Sequence, residues 1–173
     1  KPALKMKEVW AIRARLELGR RVRDLALFNL ALDSKLRGCD LVALRVEDVA
    51  AAGEVKNRGV IIQKKTGRPV QFEITPQTRA AVGELMAKRR LTPSDYLFRS
   101  RLVSSPHLST RQYARIVQGW VRSIGLNPAT YGTHSLRRTK AALIYRKAGN
   151  LRAVQLLLGH TKLESTVRYL GVE

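Results

Sequence analysis

Along almost the whole chain, apolar residues recur at the three- and four-residue spacing of helices buried on one face. The pattern breaks once, in "RGVIIQKKTGRPVQFEI", where two β-type runs flank Lys-Thr-Gly. In the second run Val70, Phe72 and Ile74 alternate with Gln71 and Glu73. This stretch predicts a hairpin in which Gly67 takes a positive φ. One hairpin set among helices gives no βαβ alternation, so the expected class is mainly α with a small antiparallel β-sheet (α+β). No linker, internal repeat or low-complexity tract interrupts the 173 residues, which read as one domain over 1–173.

The helical segments follow from spacing and punctuation. "KMKEVWAIRARLELG" places Met6, Val9, Trp10, Ile12, Ala14, Leu16 and Leu18 near one stripe and stops at Gly19. "RRVRDLALFNLALDSKL" repeats the pattern through Val22, Leu25, Ala26, Phe28, Asn29 and Leu32, and "CDLVALR" predicts a short third helix. "TPQTRAAVGELMAKRR" predicts a helix with Thr75 as N-cap and Pro76 at its first position. In "STRQYARIVQGWVRSIG", Tyr113, Ile116, Val117, Trp120, Val121 and Ile124 form a regular stripe that Gly125 ends. "THSLRRTKAALIYRKAG", "LRAVQLLLG" and "ESTVRYL" supply the remaining helices.

Charge narrows the function. There are 33 Lys+Arg against 13 Asp+Glu, a formal net charge of +20. Such an excess repels itself in a compact chain and calls for a polyanionic partner, nucleic acid ahead of an acidic membrane surface. No apolar window is long enough to span a bilayer, and no signal-peptide pattern opens the sequence. The single Cys39 excludes an internal disulfide framework and fits a reducing, cytoplasmic setting. The first residue is Lys1, so the chain is expected to be part of something longer.

Several residues have the chemistry to act on a phosphate, and each also has a plainer role. His134 and Arg137 in "HSLRR" lie three apart on a helix and share a face. They suit an anion that one binds through two parallel hydrogen bonds and the other serves with a proton, or else a solvated basic helix end. Arg37 sits between apolar stretches in "LDSKLRGCDLVALRV" and needs a ligand anion or an acidic partner, for which Asp33 and Asp40 are candidates. Lys65, with Lys64 beside it, occupies the hairpin tip, where lysines are commonly just solvated. His160 follows Gly159 and could be a C-cap. Tyr169 could be a core aromatic of the last helix.

In order and spacing, "LRGCDLVAL", "KKTGRPV", "HSLR", "LLGH" and "TVRYL" resemble the tyrosine recombinase (phage integrase) family, from about Arg21 to Leu170. The resemblance implies that family's catalytic-domain fold and a site-specific recombinase or integrase activity. Strands of double-stranded DNA are cut and rejoined through a 3′-phosphotyrosine link, without metal, ATP or another cofactor. Carried over to this sequence, Tyr169 is the nucleophile and Arg37 and Arg137 clamp the non-bridging oxygens. Lys65, or in its place Lys64, protonates the leaving 5′ oxygen. His134 manages the tyrosine proton and His160 hydrogen-bonds a phosphate oxygen.

The resemblance also implies a tetramer on DNA for the full-length protein, with the isolated domain expected to be a monomer. An N-terminal DNA-binding domain is expected beyond this chain, so the domain alone should bind DNA weakly; the sequence ends four residues after Tyr169, which implies either a further C-terminal tail or a different mode of assembly. Asp40 stands where the family often has Glu. Two other readings compete: a non-catalytic DNA-binding regulator, and a type IB topoisomerase-like enzyme. If about six of the remaining basic residues neutralise phosphates, log K falls against log salt with a slope near −5.

Overall fold

The computed structural model describes residues 1–102 and 104–149, together with 152 and 155. The element order is α1 (Met6–Leu18), α2 (Val22–Ser34), α3 (Gly38–Val42), α4 (Val46–Val49), β1 (Ala50–Ala51), β2 (Glu54–Val55), β3 (Arg58–Ile62), β4 (Pro69–Glu73), α5 (Pro76–Arg89), α6 (Thr110–Ser123) and α7 (Thr133–Ala148). The class is as expected: helices with minor antiparallel sheet. Of the segment "LRAVQLLLG" only Arg152 and Gln155 are described, and the helix expected over "ESTVRYL", with Gly159, His160 and Tyr169, lies outside the described residues. No described helix is long and apolar enough to cross a membrane.

Helix α2 is the centre. It packs against α1, α5, α7 and β4, and Ala26 through Ser34 are all buried. A helix apolar on one face alone could not be enclosed in this way; "LALFNLAL" is apolar nearly all round. Leu27, Phe28 and Leu30 are fully inaccessible, and burial of each contributes roughly 1.5–3 kcal/mol. The Phe28 ring meets Trp120 of α6 edge-on, with centroids 5.3 Å apart. The Trp120 Nε1–H donates to Asp24 Oδ2 at 3.2 Å, so the one polar atom of that indole is satisfied where it is buried.

Helix α1 departs from its expected stripe. Val9, Ile12 and Leu16 are buried, but Trp10 is 65% and Leu18 85% exposed. Only one narrow face of α1 meets α2, and the broad stripe read from spacing overfills it. A second two-stranded sheet, β1 with β2, was not expected. It pairs Ala50 with Val55 and Ala51 with Glu54 across a turn in which Ala52 and Gly53 both have positive φ.

The predicted hairpin is present. Strands β3 and β4 pair Gly59 with Phe72 and Ile61 with Val70, and Gly67 has φ +68°. A Cβ at Gly59 would stand 2.5 Å from the Phe72 ring, so the close crossing requires glycine. Beyond Ile62 the tip is closed by Gln63 N–H to Arg68 O and Gly67 N–H to Gln63 O, both 2.8 Å. Thr75 precedes α5 as expected, but its hydroxyl does not cap the helix. It donates to Asp33 Oδ2 at 2.8 Å, and the Thr75 N–H donates to the same oxygen at 2.9 Å. Ser109 caps α6 by accepting from Gln112 N at 3.0 Å. Gly149 ends α7 in the left-handed region.

Candidate active site

The turn between α2 and α3 is the pivot of the site. Helix α2 ends at Lys35, which takes a left-handed φ of +57°, unusual for a side chain with a Cβ. The turn redirects the chain so that Arg37 becomes the N-cap residue of α3. It also turns the Lys35 carbonyl outward from α2, where it accepts from Arg137 Nε of α7 at 2.8 Å. Arg37, half-buried, donates from Nη1 to the Gln63 side-chain oxygen at the base of the hairpin. Asp40 Oδ1 accepts from the backbone N–H of Lys64 at 3.0 Å. The α2–α3 turn, α7 and the Lys64–Lys65 tip are thus joined by three hydrogen bonds.

Four of the six site residues expected from sequence are described, and all four belong to these joined elements. Arg37 and Arg137 are both half-buried; Arg37 belongs to the turn and Arg137 reaches it. Lys64 and Lys65 are both exposed at the tip, and nothing in the geometry separates them. His134 lies one turn before Arg137 on α7 and is exposed. Its imidazole is held below its ordinary pKa by partial desolvation and then by the charges of Arg138 and Arg137. This favours its neutral form. His160 and Tyr169 lie outside the described residues. The Tyr113 phenol is fully buried and pushed up by that burial. The Tyr96 hydroxyl accepts from Arg45 Nη2 at 2.8 Å, with that guanidinium over its ring.

Neither carboxylate considered for Arg37 serves it. Asp33 is taken by Thr75 and by Lys140 Nζ at 3.4 Å. Asp40 supports the hairpin, and its Oδ2 is buried without a partner among the described residues. The partner of Arg37 is a neutral amide that does not cancel the guanidinium charge.

Sequence reasoning also missed Lys35. Its side chain is buried, 6% exposed, and Nζ donates to the Asp33 carbonyl at 3.0 Å. Burial first, then Lys140, lowers its pKa from 10.5 to about 8. The unfolded chain therefore binds more protons than the folded one between about pH 8 and 10.5, and stability from this group rises with pH across that window. Compared with Lys35→Met, wild-type protein should gain on the order of 3 kcal/mol between pH 7.5 and 10.5. Urea midpoints of both proteins at the two pH values check this.

Solved structures share this fold. The fold matches that of XerA recombinase, with a TM-score of 0.82 and 20% identity over 100% of this chain and 60% of that one. It also matches XerH site-specific recombinase bound to difH substrate, with a TM-score of 0.80 and 21% identity over 98% of this chain and 50% of that one. The phage integrase family model matches residues 3–173, and the chain belongs to that family. It is 28% identical over 156 residues to a probable integrase/recombinase, YoeC, of Bacillus subtilis (strain 168), covering 90% of this chain and 81% of that protein. It is 31% identical over 159 residues to tyrosine recombinase XerC of Shewanella amazonensis, covering 91% of this chain and 51% of the relative. The chain spans about half the length of the XerC relatives it matches.

Proposed function

We propose that this chain is the catalytic domain of a site-specific recombinase that cuts and rejoins double-stranded DNA in the cytoplasm. The observation that carries the reading is the tethering of Arg37, Arg137 and the lysine hairpin to one turn. The Arg37 guanidinium, held by a neutral amide, keeps its charge for a phosphate.

In the proposed reaction the Tyr169 oxygen attacks the scissile phosphorus. The phenol proton passes to neutral His134, since a free phenol with a pKa of about 10 is mostly protonated at pH 7. Arg37 and Arg137 stabilise the negative charge that grows on the non-bridging oxygens, with His160 as a third donor. As the bond to the 5′ oxygen breaks, Lys65 supplies its proton. The products are a 3′-phosphotyrosine and a free 5′ hydroxyl. A 5′ hydroxyl from another strand reverses the steps and completes exchange. The phosphodiester energy stays in the protein–DNA bond, so neither nucleotide nor metal is required. Exchange between two duplexes implies four protomers on DNA for the full-length protein, with the isolated domain a monomer.

The test is covalent capture. Protein is mixed in EDTA with a randomised pool of nicked duplexes, denatured and digested, and the peptides are analysed by mass spectrometry. A nucleotide remnant on Tyr169 is the expected result. Absence of any adduct, or an adduct on another residue, sinks the reading.

A further inference from the structure

Residues 59, 61 and 63 follow the inward register of β3. Gly59 is buried against Phe72 and Ile61 packs against the core. The third inward position carries a polar residue, Gln63, which is only 4% exposed. A buried amide at an apolar register position costs free energy unless it is hydrogen-bonded. Its side-chain oxygen accepts from Arg37 Nη1, while its backbone closes the hairpin tip through Arg68 and Gly67.

A carboxylate in this place would neutralise Arg37 and compete with a bound phosphate. An aliphatic side chain would leave the guanidinium free to swing about its long stem. An amide fixes the group and leaves its charge intact. We propose that Gln63 is a positioning residue for the reaction, holding the Arg37 guanidinium in the orientation that receives the phosphate. This rests on the functional reading above. Gln63 does not touch the DNA; it acts through Arg37.

The hold itself is tested without DNA. In ¹⁵N spectra of arginine side chains, the Arg37 guanidinium of the wild-type protein should rotate more slowly than that of exposed Arg20. Equal rates overturn the proposal. The consequence is tested with a nicked duplex selected on the wild-type protein by covalent capture. Gln63→Leu, confirmed as folded by its thermal melt, should form the adduct roughly tenfold to hundredfold more slowly. In an Arg37→Ala background the same substitution should add little, because the group it positions is gone. Independent, multiplying defects overturn the proposal.

A duplex with sulfur as the bridging 5′ atom separates the two routes. A thiolate leaves without an acid, so this substrate rescues loss of Lys65 and should not rescue Gln63→Leu. Rescue would mean that Gln63 serves the hairpin lysine instead, which also overturns the proposal. Normal adduct formation by Gln63→Leu removes this role alone. A wild-type protein that forms no adduct removes the functional reading and this role together.

Discussion

Arg37→Ala and Arg137→Ala should each slow formation of the phosphotyrosine adduct by about 10²–10³, roughly 3–4 kcal/mol of lost transition-state stabilisation. The two arginines come from elements distant in sequence and are oriented in different ways. Arg137 Nε is fixed by the Lys35 carbonyl, and Arg37 Nη1 by the Gln63 amide. Each guanidinium is thus set before DNA arrives, and little reorganisation is left for the moment of reaction. Lysine at either position keeps a positive charge but loses the planar fork, so Arg37→Lys and Arg137→Lys should remain well below wild type. In the proposed reaction the two groups act on one phosphate, so the double alanine variant should be less impaired than the product of the single effects. Single-turnover cleavage of a nicked duplex measures all of these. Losses below fivefold for either alanine variant would remove that arginine from the chemistry.

Sequence carried the parts of the fold that depend on local chemistry. The hairpin was legible because alternation at Val70, Phe72 and Ile74 and a glycine at the tip are short-range signals. The stop at Gly125, which takes a positive φ, was legible for the same reason. The exposure of Trp10 and Leu18 was not, since spacing gives the direction of a face but not the width of what covers it. The β1–β2 pair was hidden because its strands are two residues long and its turn places Ala52, which has no preference for positive φ, before Gly53.

The site divides in the same way. Arg37, Lys65, His134 and Arg137 were visible as residue types in a family's order. What holds them was not. Gln63 meets Arg37 from 26 residues away, and the Lys35 carbonyl meets Arg137 from 102. Backbone acceptors and neutral amides leave no charge pattern in a sequence. The carboxylates that did stand out, Asp33 and Asp40, are occupied elsewhere because the turn at Lys35 carries Arg37 off the end of α2.

Asp33 is where fold and site meet, and Asp33→Ala should cost about 3 kcal/mol of stability. Its carboxylate is 5% exposed at the end of α2. One oxygen receives the N–H and hydroxyl of Thr75 at the start of α5. The other faces Lys140 of α7, the helix that also bears His134 and Arg137. Removing it leaves the α5 start without its acceptor and leaves Lys140 and buried Lys35 with less opposing charge, a worse outcome than losing an exposed ion pair. For a chain of this length the melting temperature should fall by roughly 6–12 °C. Asp33→Asn retains an acceptor for Thr75 but not the charge, and should fall between alanine and wild type. Because α7 is docked partly through Lys140, strand cleavage by Asp33→Ala should fail at temperatures where wild-type protein is still active. Thermal melts beside cleavage assays over the same temperatures test both effects, and a melting point within 1–2 °C of wild type, under about 1 kcal/mol, would show that this carboxylate does not tie the three helices together.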